Sequence, residues 1–271
     1  MKIAHALLLS ILTSVTVALA VPPAKVPDKL PNGERPWADP DAEDTKQIMA
    51  AVPDHAPATP AKPRRLLVFY RTDGFPHSSI PYWNKLIVEM GRKTGAYTAT
   101  LSQSYDDLTA EKLKDYDAVF FNNTCRMNTP APVKAALLDF IASGKGFAGN
   151  HGAGDNWHDW TEGKELIGAK FVTHPYGRIQ IKVDDPKNPV AAVFEGKGFV
   201  YSDEIYAFKE PYSRDKLRVL LSIDYPNSPD VAKAEQTLIK RAAEPNARQV
   251  DKDSLAAVRA DKDYALAWIR P

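Results

Sequence analysis

Leu66-Leu67-Val68-Phe69-Tyr70 is a run of five residues with no charged or strongly polar interruption. A half-exposed strand alternates apolar with polar residues. A continuous apolar run of this length therefore belongs to a strand covered on both faces, as in a parallel sheet with helices on either side. The chain that follows keeps to that pattern. Residues 81–94 carry helical periodicity, with Trp83, Leu86, Ile87 and Met90 on one face and Gly95 placed to end the helix. Residues 97–101 read as a strand, 109–114 as a short helix and 118–121 as a strand. Residues 130–143 form a third helix, with Val133, Leu137, Leu138 and Ile141 inward and Gly144 as its stop. Residues 146–149 form a fourth strand. This alternation predicts an α/β fold with an open, mostly parallel sheet flanked by helices and joined by right-handed crossovers.

The second half is less regular. Residues 166–171, 179–183 and 199–205 read as short strands and connections, and 217–223 as a buried strand. Residues 226–262 form a polar, helix-tolerant excursion, and 264–269 a last strand. Before the α/β region, residues 21–63 are rich in Pro, Ala, Lys and Asp. They read as a linker or arm with a short helix near 41–51. Residues 1–20 read as a signal peptide: Lys2, an apolar run over 3–19, then Ala18-Leu19-Ala20 as the cleavage site. The expected organisation is signal (1–20), arm (21–63) and α/β domain (64–271), in an exported protein that is periplasmic or secreted.

The 35 basic and 34 acidic side chains leave a formal net charge of +1. That balance gives no electrostatic reason to expect nucleic acid or an anionic membrane as partner. The single cysteine, Cys125, cannot form an intrachain disulfide. It reads either as a small buried hydrophobe at a strand end or as a reactive thiol.

In open α/β sheets the ligand site lies beyond the carboxyl ends of the strands. The residues following the strands are Arg71 to Ser78, with His77 among them; Asn122-Asn123-Thr124; and Asn150-His151-Gly152-Ala153-Gly154-Asp155. His174-Pro175 and Asp203-Glu204 follow later strands. A strand running into small residues around one reactive side chain resembles a nucleophile elbow. Here the apex is His151, which suits acid-base work or metal ligation better than covalent attack. A hydrogen-bonded histidine in a Gly-rich turn explains the same residues without chemistry.

Six segments taken together resemble the ThuA-like, trehalose-utilisation family. They are 68–80 (VFYRTDGFPHSSI), 120–124 (FFNNT), 144–160, 168–175 (GAKFVTHP), 203–206 (DEIY) and 218–224 (RVLLSID). The resemblance implies a flavodoxin-like, class I glutamine-amidotransferase-like fold with a histidine in place of the elbow cysteine, and a carbohydrate or glycoside derivative as substrate. The family's elbow commonly reads Gly-Ile-His-Ala-Ala-x-Asp. Here Asn150 stands at the apolar position, and Gly152 and Gly154 are expected to loosen the turn. The family usually continues beyond the strand containing Trp268 into a Gly-rich strand and a Leu-Gly-His segment, whereas this sequence stops at Pro271.

Three readings follow. In the first, an enzyme uses His151 as acid or base, with Asp155 or Glu204 as the partner carboxylate. His77, Ser78, Asn123 and His174 bind substrate hydroxyls or a developing oxyanion, and Trp157 and Tyr206 stack on sugar faces. In the second, His77, His151 and His174, with Asp155 or Glu204, hold a divalent metal such as zinc. In the third, the domain is a non-catalytic carbohydrate-binding or interaction module. His158 reads as a surface or capping residue.

Overall fold

The computed structural model describes residues 33–270. The expected signal segment and the start of the arm lie outside them. Helix α1 (Ala42–Ala51) precedes a β/α series. The series runs β1 (Arg65–Phe69), α2 (Ile80–Thr94), β2 (Thr98–Ser102), α3 (Ala110–Leu113), β3 (Ala118–Asn122), α4 (Ala131–Ala142) and β4 (Gly146–Asn150). Its four strands form one wholly parallel sheet in the order β2-β1-β3-β4. The chain starts in the middle, moves outward to β2, then crosses back to β3. The loops after β1 and β3 therefore diverge, which opens a crevice at the carboxyl ends of these strands.

The core lies between the sheet and α4. Leu67, Phe69, Val119 and Phe121 point from the strands toward Val133, Ala136, Leu137 and Phe140 of the helix, and Trp157 and Trp160 close the end of this cluster. Side chains alternate along a strand, so Asn122 points the other way, toward α2. There its Nδ2 donates to Asn84 Oδ1 at 2.8 Å and to Ile80 O at 2.9 Å. This pairing turns α2 relative to the sequence expectation. Its buried residues are Ile80, Asn84, Ile87 and Gly91, while Trp83 is exposed. Gly91 is needed there because the Tyr97 ring and backbone occupy the space a Cβ would fill.

After β4 the chain changes architecture. Leu166 and Ile167, expected in a strand, end helix α5 (Thr161–Ile167), which stops at Gly168 in a left-handed conformation (φ +86°). Then follow β5 (Lys170–Thr173), β6 (Tyr176–Val183), β7 (Phe199–Glu204), β8 (Ala207–Lys209), β9 (Arg218–Ile223), α6 (Pro229–Ala242), α7 (Gln249–Ser254) and β10 (Ala265–Ile269). Strands β10-β9-β6-β7 form a second, antiparallel sheet, and β5 pairs with β8 in a two-stranded ribbon between the two sheets. The polar excursion is α6 and α7. Buried Glu235 of α6 anchors it by accepting from Tyr225, Tyr264 and Lys262.

The arm lies on the domain. Arg35 N donates to Gln103 Oε1, Gln103 Nε2 returns a bond to Arg35 O, and Tyr82 OH donates to Asp44 Oδ2. Among the described residues no helix is long and apolar enough to cross a membrane.

Phe121 is fully buried against Phe69, Phe147 and Trp157, with ring centroids 5.0–5.6 Å apart. Phe121→Ala is expected to destabilise the fold by about 3–5 kcal/mol. Urea unfolding measures this, and a loss below 1 kcal/mol would mean that the cluster does not hold the sheet.

Candidate functional site

His151 is the first residue after β4 and starts a short 3-10 turn, His151–Asp155. Its φ is +42°, an uncommon conformation for a non-glycine residue. Asn123, at the corresponding place after β3, is also left-handed at +49°. The two turns are tied together, because Asn123 N donates to Asn150 Oδ1 at 2.9 Å. Backbone strain of this kind, costing on the order of 1–3 kcal/mol per residue, concentrates at functional sites.

His77 arrives from the loop after β1. Its ring stands edge-on to His151, with centroids 4.6 Å apart at 82°. Gly152 makes this possible: a Cβ there would sit 2.9 Å from His77 Cε1 and 3.0 Å from Asn123 O. The glycines of the elbow therefore do not loosen it. Gly152 is the seat of the His77 ring, and Gly154 faces the Phe208 ring at 3.1 Å from its would-be Cβ.

The remaining groups come from the two places where the chain passes between ribbon and antiparallel sheet. His174 and Pro175 join β5 to β6, Ile205 and Tyr206 join β7 to β8, and Ile205 N donates to Pro175 O. Glu204 lies between two imidazoles. Its Oε2 is 3.3 Å from His151 Nε2 and its Oε1 is 3.3 Å from His174 Nδ1. Tyr206 OH is also 3.3 Å from His151 Nε2. Phe171 packs on both Tyr206 and His174.

The electrostatics keep His77 and His151 neutral. Burial depresses the pKa of His77, and the neighbouring His151 and His174 add to the shift, bringing it to about 4. Burial also lowers the pKa of His151, opposed by the carboxylates of Glu204 and Asp203. Tyr206 is raised by burial and by Glu204, so it stays a phenol. One ligand atom each from His77, His151 and Glu204 all lie within 4.8 Å of one another. Beneath them, His77 Nδ1, Asn123 Oδ1 and Asn150 Nδ2 are buried and make no hydrogen bond of good geometry among the described residues. Buried polar atoms without partners are costly, so three around one turn mark a place built for more than packing.

Of the residues expected at a site, His77, His151, His174, Glu204 and Tyr206 come together. Asn123 is wholly buried beneath them, and Ser78 is exposed in the turn before α2. Two expectations are corrected. Trp157 does not offer a face to a sugar: it is 4% exposed, packed on Phe121 and Trp160, with its indole N–H donating to Thr129 Oγ1. Asp155 is not the carboxylate beside His151. It accepts from Arg126 Nε and Cys125 Sγ and lies 2.6 Å from His158 Nε2. That contact gives His158 a buried partner rather than a plain surface role. Cys125 is buried, and burial pushes its thiol up to about 12, as suits a packing cysteine.

Sequence reasoning assigned no role to Phe75, 66% exposed at the rim and edge-on to His77, or to Asn150 and Phe171. An aromatic residue just past a strand end was the available signal for Phe75.

The depressed pKa of His77 carries a sign. The unfolded chain takes up a proton near the ordinary histidine value while the folded one resists it, so stability falls as pH drops from about 6.5 toward 4. Denaturation at stepped pH is expected to show this decline in the native protein and a shallower one in His77→Gln. Equal slopes would mean that His77 is not held neutral.

Against known proteins, a family model described as ThuA, trehalose utilisation, matches residues 65–248. No curated protein matches. The crystal structure of a ThuA-like protein from Bacteroides uniformis ATCC 8492 superposes with a TM-score of 0.52 at 21% identity. The superposition covers 64% of this chain and 73% of that one, a likeness that bears on the fold alone. The α/β fold and the extent of the family match agree, and this chain belongs to the ThuA family.

Proposed function

We propose that this chain is an exported enzyme acting on a carbohydrate or glycoside derivative, with His151 as its acid-base group. The observation that carries the reading is the contact of His151 Nε2 with Glu204 Oε2 at 3.3 Å, at the carboxyl end of a parallel strand. A neutral imidazole is a base ready to accept a proton from a substrate. As it does so, the adjacent carboxylate stabilises the imidazolium, and the proton can be returned to a leaving oxygen. Tyr206 supplies a phenol O–H to the same edge, and His174, on the other oxygen of Glu204, holds that carboxylate in place. The exposed ring of Phe75 offers an apolar face to a sugar. The carbohydrate class follows the description of the family, and export follows the apolar leader over residues 3–19.

A second reading rests on the convergence of His77, His151 and Glu204 within 4.8 Å. Two neutral imidazoles and a carboxylate are a donor set that suits zinc or another divalent metal. Bound there, such an ion would act as a Lewis acid on a substrate oxygen.

The test is a thermal-shift screen of the protein from Val21 onward against sugars, oxidised sugars and divalent metals. A ligand at about a hundred times its Kd adds about 2.7 kcal/mol, a shift of several degrees. The expected result is a hit whose shift and turnover both disappear in His151→Ala while the variant still melts cooperatively. A shift that disappears with no turnover in the native protein would favour the binding module. A hit indifferent to His151→Ala would remove this site from the account.

A further inference from the structure

Along β6, Gly177, Ile179 and Ile181 turn toward α6. A Cβ on Gly177 would sit 2.8 Å from Asp230 Cβ, and the two isoleucines are buried with Val231 of that helix. Side chains alternate along a strand, so Tyr176, Arg178 and Gln180 stand on the other face. Their register partners on β7 are Glu204, Ser202 and Val200, and directly opposed residues project to the same side. This second face is the one from which Glu204 reaches His151 and His174. It is open to solvent next to Glu204, where Tyr176, Arg178, Val200 and Ser202 are all exposed. The His151 centre therefore continues into an open floor, with Glu204 common to both.

The floor carries one cation. Arg178 spends its backbone N–H on Asp230 Oδ2 at 2.8 Å, and its guanidinium makes no ion pair or hydrogen bond among the described residues. The Ser202 side chain stands directly opposite it, and the Tyr176 ring leans across the same pair, its OH donating to Ser202 O at 3.3 Å. Arg178 is the diagonal neighbour of Glu204 on this face, and such neighbours lie about 7–8 Å apart. One substituted pyranose covers that span.

A guanidinium presents a planar fork of N–H donors that matches the two oxygens of a carboxylate or phosphate. A ligand that brings such a group finds its counter-charge at Arg178, with the Ser202 hydroxyl beside it, and is repelled at Glu204. The two charges therefore orient it, anionic end on Arg178 and reacting end at His151. We infer that Arg178 is an anion-recognition residue and that the ligand of the His151 centre is a sugar derivative bearing a carboxylate or phosphate. This rests on the carbohydrate reading of the centre and goes beyond it: the ligand is charged, unlike the neutral sugar in the family's description.

Titration calorimetry of the protein with glucose, glucuronate, glucose 6-phosphate and glucose 1-phosphate, at low and at high salt, tests this. At least one anionic sugar is expected to bind about tenfold or more tighter than glucose at low salt, and the preference to shrink at high salt. Which of them is preferred tells a carboxylate from a phosphate. Arg178→Gln, at an exposed position, is expected to erase the preference and leave glucose binding unchanged. Arg241→Gln, an equal loss of charge from the exposed side of α6 across the sheet, is expected to keep it. A preference that survives Arg178→Gln, or is lost equally in Arg241→Gln, would overturn the assignment. Equal binding of neutral and anionic sugars that is lost in His151→Ala would overturn it while leaving the centre standing. Binding of no sugar at all would count against the carbohydrate reading of the centre, and the role of Arg178 would fall with it.

Discussion

A carboxylate from one sheet meets an imidazole from another in this molecule, and the arrangement of the second half of the chain follows from that contact. His151 ends the last parallel strand, and Glu204 ends a strand of the antiparallel sheet. The β5–β8 ribbon lies between them and sets the distance. Its Phe208 presses on Gly154 of the elbow and on Trp268 of β10, so the elbow and the far edge of the second sheet share one packing unit. The His174-Pro175 and Ile205-Tyr206 connections are pinned to each other by a backbone hydrogen bond. A shift of the second sheet would separate Glu204 from His151.

Burial dominates the electrostatics, and the same contact opposes it at His151. Burial alone drives both His77 and His151 toward the neutral form, and the two imidazoles face each other closely enough that charging one disfavours charging the other. Glu204 is the opposing influence on His151. The balance leaves a neutral imidazole beside a carboxylate. The strained backbone at His151 and Asn123 and the glycine beneath His77 are the local means of keeping these rings in place.

The parallel half was legible because its rules are local. Apolar runs of strand length, helical periodicity and glycine stops gave β1 to β4 within a residue or two, and the strand-end rule located His77 and His151. The sheet-facing stripe of α2 was misplaced because a polar pair, Asn84 with Asn122, takes a position that an apolar count would leave to Leu86. The second half was not legible as architecture. Antiparallel partners far apart in sequence, such as β6 with β9, leave no periodic trace. Glu204 and His174 were found as residues following strands, but their shared contact depends on that long-range pairing. Asp155 was a natural expectation as the carboxylate four residues from His151. It was displaced because the turn carries it toward Cys125, Arg126 and His158. Trp157, expected to stack on a sugar face, is instead enclosed by Phe121 and Trp160, which nothing in its polar sequence surroundings shows.

The central claim is that Glu204 acts on His151, raising its pKa against the effect of burial. The most direct measurement is the imidazole titration of His151 by NMR, in chelator-treated native protein and in Glu204→Gln. The carboxylate raises the His151 pKa against the effect of burial. Its removal is predicted to lower that pKa further. A His151 pKa that is unchanged or raised in the variant would contradict the account, because it would mean that the carboxylate does not act on this histidine in solution.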